Sequence, residues 1–151
     1  MSKRVPPDWR ILRGNPSRRP IPPQMRPKML EAMPDPPDVV SASEDARNAW
    51  FDVGSELCDV GVMSTLDLST FGVFCISYAR WLACERAMAA SGLTIEGRGG
   101  PVRNPLLRIT AQAASDAVKL ASEFGLSPSA RLNVAVGGLP PTRDRLDDLL
   151  A

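Results

Sequence analysis

Arginines are the residues of this chain whose type and placement point most clearly to a chemistry. Residues 1–28 contain eight basic side chains and one acid, which gives this segment a net charge of +7. The remaining residues carry ten basic and sixteen acidic side chains, a net charge of −6. A basic arm on an acidic body predicts a polyanionic partner for the arm, because lysine and arginine bind phosphates without reading sequence.

Two groups of arginines are the candidate DNA-binding residues. The first group lies in the arm and consists of Arg13, Arg18 and Arg19. The second group follows a glycine-rich stretch near the middle of the chain and consists of Arg98, Arg103 and Arg108. Arginines at a loop-to-helix junction are placed to contact phosphates. The alternative for both groups is that the charges only keep the protein in solution.

The residue types that catalysis or metal binding would need are absent or isolated. The chain has no histidine, which excludes histidine-based catalytic and zinc-binding schemes. Its three cysteines, Cys58, Cys75 and Cys84, show no CxxC spacing and are expected to be buried apolar residues. Residues 97–100 (GRGG) lack the phosphate-loop pattern GxxxxGK[ST]. We therefore predict no enzyme activity, metal, cofactor or small-molecule substrate.

Proline content divides the arm from the body. Residues 1–37 hold ten of the fifteen prolines and few apolar residues. Because proline removes backbone donors and disfavours helix at the preceding residue, we predict a basic, mostly disordered arm over residues 1–40. Ordered structure is expected to begin near Ser41. A helical domain over residues 41–136 and an acidic tail over residues 137–151 complete the predicted organisation.

Capping signals delimit the predicted helices. The first has a capping box at residues 41–44 and a stop at Gly61, and the second runs from residues 64–67 to Gly92. The third extends from Asn104 to Gly125, and a short fourth follows from Ser127. Residues 93–103 are interpreted as a loop. The predicted fold class is therefore all-α, a small domain of three main helices and a short fourth.

Three local motifs occur in the order expected of a known family. Residues 14–20 read GNPSRRP, residues 74–81 read FCISYARW, and residues 125–132 read GLSPSARL. These resemble the GNPGKRP-type, YCxxYAxW-type and GLTPSSRxRL elements of the small subunit of phage terminases, the tailed-phage and prophage family with a GNPxxRP N-terminal motif. The resemblance covers roughly residues 9–132. This chain departs from the pattern at Ser17, at Phe74, and at Leu132, which directly follows Arg131.

The resemblance implies a non-enzymatic adaptor that binds double-stranded viral DNA and recruits or regulates the large terminase subunit, which holds the ATPase and the nuclease. It also implies a homo-oligomeric ring in the host cytoplasm. Leftover apolar residues on the second helix, Val73, Ile76 and Leu82, would be covered by neighbouring subunits or would widen the core-facing stripe. The acidic tail is a candidate contact for the large subunit, or simply a solvated tail.

Two other functions remain open from the residues alone. A small helical transcription regulator would need a recognition helix with exposed Arg, Asn or Gln, and the second helix offers only Arg80 and Arg86. A structural head–tail connector could also form a helical ring, but it would have no affinity for free DNA. No apolar run reaches the ~18 residues of a membrane span, so no membrane partner is predicted.

Overall fold

The structure, a computed structural model, describes residues 27–131. In that range the elements are α1 (Asp38–Ser41), α2 (Glu44–Asp59), α3 (Leu68–Ser91), β1 (Thr94–Gly97), β2 (Gly100–Arg103), α4 (Leu106–Glu123) and α5 (Pro128–Arg131). Helices α2, α3 and α4 are the three main helices that the capping signals predict, and α5 is the short fourth. The predicted helical class is confirmed. Most of the predicted arm and the whole acidic tail lie outside the described residues.

Local capping determines where the main helices begin and end. Ser43 caps α2, since its Oγ accepts a hydrogen bond from the Ala46 amide at 3.4 Å. The cap lies two residues later than predicted because Ser41 ends the separate helix α1. Helices α2, α3 and α4 stop at or just before the predicted glycines, all of which have a positive φ, as at Gly61 (71°). Glycine reaches this left-handed conformation without the steric cost of a side chain.

The core lies where α2, α3 and α4 meet. Helix α3 is central and packs against both of the others. Phe71 on α3 is fully buried and contacts Trp50 of α2, Phe74 of its own helix and Phe124 after α4, with ring centroids 5.3–5.6 Å apart. Burial of apolar surface is the dominant favourable term in folding, and these large rings contribute to it.

The chain is ordered against the body well before Ser41. The Leu30 amide donates to the Met63 carbonyl at 3.0 Å, and Trp50 Nε1 donates to the Pro34 carbonyl at 2.8 Å. Met33 lies so close to α2 that a Cβ built on Gly54 would be 2.7 Å from the Met33 methyl carbon. Glycine inside a helix lowers its stability, but Gly54 leaves the space that Met33 occupies and so has a packing role. The proline-rich composition does not keep residues 28–40 away from the core.

The loop prediction for residues 93–103 is wrong. Strands β1 and β2 pair antiparallel there, from Thr94 opposite Arg103 to Gly97 opposite Gly100. Each strand has only four residues, too few for an alternating apolar pattern to stand out in the sequence. At the base of the hairpin, the Asn104 amide donates a hydrogen bond to the Leu93 carbonyl and closes the pairing.

Candidate nucleic-acid interface

The tip of the β1–β2 hairpin carries a single side chain. Residues 97–100 are glycine except for Arg98, which with Gly99 connects the two strands. Gly100 has a φ of 115°, a conformation that side-chain-bearing residues rarely adopt. A Cβ on Gly97 would lie 2.9 Å from the Val102 side chain, so the strands approach closely at this point. The hairpin therefore presents one guanidinium group on a narrow, otherwise bare tip.

Asn104 anchors the base of the hairpin. Only 3% of this residue is exposed. Its backbone amide donates to the Leu93 carbonyl at 2.9 Å, which closes the hairpin. Its Nδ2 donates to Ser91 Oγ and to the Gly92 carbonyl, both at 2.9 Å, and its Oδ1 accepts from the Leu106 amide at 3.0 Å. One buried side chain thus caps α4, as predicted, and also ties α4 to the end of α3.

The structure brings the second group of predicted arginines onto one hairpin–helix unit. Arg98 lies at the tip, Arg103 at the base opposite Thr94, and Arg108 in the first turn of α4. All three are exposed, and within residues 27–131 their guanidinium groups make no ion pair or hydrogen bond. Strand β2 extends about 10 Å from Gly100 to Arg103, and Arg98 lies beyond its far end in the turn. These arginines are therefore available for an anionic ligand.

Charge is unevenly distributed over the body. Residues 93–108 carry three arginines and one acid, Glu96, for a net charge of +2. Helix α2 carries five acids and one arginine, for a net charge of −4. No acid occupies the first turn of α4, whose N-terminus is the positive end of the helix dipole. A polyanion would meet a favourable local field at the hairpin and an unfavourable one at α2.

Arg13, Arg18 and Arg19 lie outside the described residues, so their role as DNA contacts stays a prediction. The structure does locate the point where the arm joins the body. The Thr65 amide donates to the Lys28 carbonyl at 3.2 Å, and Met29 pairs with Ser64. The arm therefore starts from the connection between α2 and α3.

The sequence does not predict an ion pair that joins α2 and α3. Arg86 donates through Nη1 and Nη2 to the two carboxylate oxygens of Asp45, at 2.5 and 2.9 Å. These hydrogen bonds lower the pKa of Asp45 and raise that of Arg86. The partners are 41 residues apart, so no local spacing reveals them. A DNA-recognition helix at α3 would depend on Arg80 and Arg86, and the ion pair already occupies the guanidinium group of Arg86.

The cysteines are buried, as expected. Burial raises the pKa of the Cys75 thiol to about 12, and burial also raises that of Cys58. Among residues 27–131 no cluster of Cys, Asp or Glu side chains is arranged to hold a metal ion. In the same range, no helix combines the length and apolar character that crossing a membrane requires.

Comparison with known proteins identifies the family. A family model described as phage terminase, small subunit, matches residues 46–139, more than half of the chain. The matched range contains α3, the hairpin and α4, together with Arg98, Arg103 and Arg108. The GNPSRRP motif of residues 14–20 lies outside it. No curated protein and no solved structure matches the chain significantly. The chain belongs to the phage terminase small subunit family.

Proposed function

We propose that the protein is a non-enzymatic adaptor for genome packaging, which binds double-stranded viral DNA and recruits the large terminase subunit in the host cytoplasm. The family match supports the packaging role. The observation that carries the DNA-binding part is the hairpin–helix unit. It holds three exposed arginines without an intramolecular partner among the described residues.

The hairpin suits a duplex in shape as well as in charge. The major groove of B-DNA admits a two-stranded β-ribbon, and a glycine-rich tip can approach base edges closely. In this arrangement Arg98 enters the groove, whereas Arg103 and Arg108 bind phosphates beside it. The N-terminus of α4 adds a favourable dipole for a phosphate near Arg108.

The arm contributes affinity without specificity. Arg13, Arg18 and Arg19 bind phosphates along the duplex, and each such contact releases counterions and steepens the salt dependence of binding. A ring of subunits would place several arms and hairpins along one DNA molecule, which multiplies weak contacts. Exposed apolar side chains such as Val73 on α3 (53% exposed) and Val118 on α4 (67%) are candidates for burial between neighbouring subunits. The acidic tail, residues 137–151, is the proposed contact for the large subunit.

The test is a salt titration of the binding of a labelled duplex, measured by fluorescence anisotropy, with the assembly mass measured by light scattering. Two triple variants replace either Arg98, Arg103 and Arg108 or Arg13, Arg18 and Arg19 by alanine. Each should weaken binding and reduce the slope of log K against log salt by roughly 2 to 3. Arg80→Ala is the matched control, because Arg80 is an exposed arginine on α3 with no ion pair among the described residues.

If the hairpin triple variant bound DNA as tightly as Arg80→Ala, the hairpin arginines would not be part of the DNA interface. A ring without affinity for duplex DNA would favour the head–tail connector, and a dimer that binds a short palindrome would favour the transcription regulator.

A further inference from the structure

A groove with an aromatic floor and an acidic rim runs between α2 and α3. Its volume is about 370 Å³, and Phe74, Tyr78 and Leu82 of α3 line one side. The Phe74 and Tyr78 rings are nearly parallel, with centroids 6.2 Å apart. On the other side, α2 contributes Val53 and the carboxylates of Asp45 and Asp52. The groove therefore combines apolar surface, aromatic faces and negative charge.

One end of this α2–α3 groove already binds a guanidinium group. Arg86 forms its two-pronged contact with Asp45 there. Asp52 lies seven residues further along the same face of α2, about 10 Å away by helix geometry. Its carboxylate is exposed and has no ion pair within residues 27–131. The groove thus leaves one carboxylate open to a second guanidinium group.

We propose that, in the absence of DNA, the groove binds residues 18–23 of the chain's own arm. This segment reads RRPIPP, so Pro20 and Pro23 form a PxxP spacing directly after two arginines. PxxP segments adopt a preformed extended helix and bind grooves lined by aromatic side chains. An arginine beside the prolines gains an ion pair with Asp52 and a cation–π contact with Tyr78.

Charge and chain length both support this occupant. Residues 1–26 contain seven basic residues and one acid, a net charge of +6, opposite the −4 of α2. The arm joins the body at the α2–α3 connection, and Tyr78 lies about 15 Å along α3 from Leu68. Residues 18–23 precede Pro27 by four to nine positions, which span roughly 12–28 Å in an extended conformation. Because the tether keeps the local concentration near the millimolar range, a weak contact suffices.

The arm–groove contact implies that the groove and DNA compete for the arginines of the arm. Arg18 and Arg19 cannot bind the groove and a DNA phosphate at the same time, so the acidic body should hold back non-specific binding by the arm. This consequence rests on the proposed DNA-binding function, whereas the arm–groove contact itself does not.

The test is crosslinking in the full-length chain without DNA. A cysteine replaces Ser17 beside the segment, and a second replaces Asn48, an exposed residue at the groove. The control pair combines Ser17→Cys with Ser115→Cys, at an exposed position on α4. The native cysteines are buried. At low salt a short bismaleimide should join positions 17 and 48 within one chain severalfold faster than positions 17 and 115. Adding Asp52→Asn should abolish this preference, and adding Asp59→Asn, the same charge change on the same helix outside the groove lining, should preserve it.

Equal rates for the two pairs, or equal effects of the two charge changes, would overturn the proposal. A product joining two chains would also overturn it, because the occupant would then be a neighbour's arm. Adding duplex DNA should slow the specific crosslink, and Asp52→Asn should bind DNA about twofold to fivefold more tightly than Asp59→Asn. A groove-specific crosslink that DNA leaves unchanged would support the arm contact and contradict DNA binding by the arm.

Discussion

Replacing Asn104 by alanine removes few atoms but should destabilise the protein strongly, because those atoms form several buried hydrogen bonds. The side chain is buried and makes three hydrogen bonds, two through Nδ2 and one through Oδ1. Alanine removes all three and leaves the Gly92 carbonyl and the Leu106 amide without this partner. At about 1 kcal/mol for each hydrogen bond, Asn104→Ala should lower the free energy of unfolding by about 2–4 kcal/mol.

The matched controls are Asn104→Asp and Asn48→Ala. Aspartate caps a helix as well as asparagine does, but it cannot donate to Ser91 and brings a carboxylate next to the Gly92 carbonyl. Asn104→Asp should therefore also be destabilised. Asn48 is exposed, with no hydrogen bond of its side chain among the described residues, and Asn48→Ala should stay within about 0.5 kcal/mol of the parent.

Urea denaturation at one fixed protein concentration measures these differences, since subunit association would otherwise change the apparent stability. Hydrogen exchange at the Asn104 amide, which donates to Leu93, should accelerate in both Asn104 variants because the base of the hairpin opens more often. If Asn104→Asp were as stable as the parent, helix capping alone would explain the residue and its role as the hairpin anchor would be refuted.

Two further predictions concern the core. Trp50→Phe removes the hydrogen bond to the Pro34 carbonyl and part of a ring that is 1% exposed, so it should cost about 2–3 kcal/mol in urea denaturation. Trp81→Phe is the control, at a half-buried position whose Nε1 donates to the exposed Glu85 and to no other group of residues 27–131, and it should cost less than about 1 kcal/mol. Equal costs would contradict the anchoring of the N-terminal segment by Trp50. The Cys75 thiol, with its pKa raised to about 12 by burial, should not react with a thiol reagent at pH 8 unless the protein is unfolded, because the thiolate is the reactive form. Rapid labelling of Cys75 in the native protein, detected by mass spectrometry, would contradict the described burial.

Periodicity predicts which residues belong to helices better than it predicts their burial. Apolar residues recur at helical spacing in the first and third predicted helices, and Val60 and Ile109 belong to these stripes. Both side chains are nevertheless largely accessible, at 55% and 45% exposed. The apolar stripe of a helix follows from the spacing of residues in that helix, whereas the burial of each residue depends on which part of the stripe a neighbouring helix packs against. Val60 lies just beyond the end of α2, and Ile109 lies in the first turns of α4, where no helix within residues 27–131 covers it fully.

The sequence by itself determines the three main helices, their glycine stops and the Asn104 cap, because each depends on residues within one or two helical turns. It also determines the basic arm, the acidic body and the motifs that indicate the family. Only the tertiary structure decides the packing of residues 28–40, the β1–β2 hairpin and the Asp45–Arg86 ion pair. The packing of residues 28–40 and the ion pair join residues that are distant along the chain, so their contacts form only when the tertiary structure forms. The hairpin joins nearby residues, but its four-residue strands are too short for the sequence pattern to reveal them.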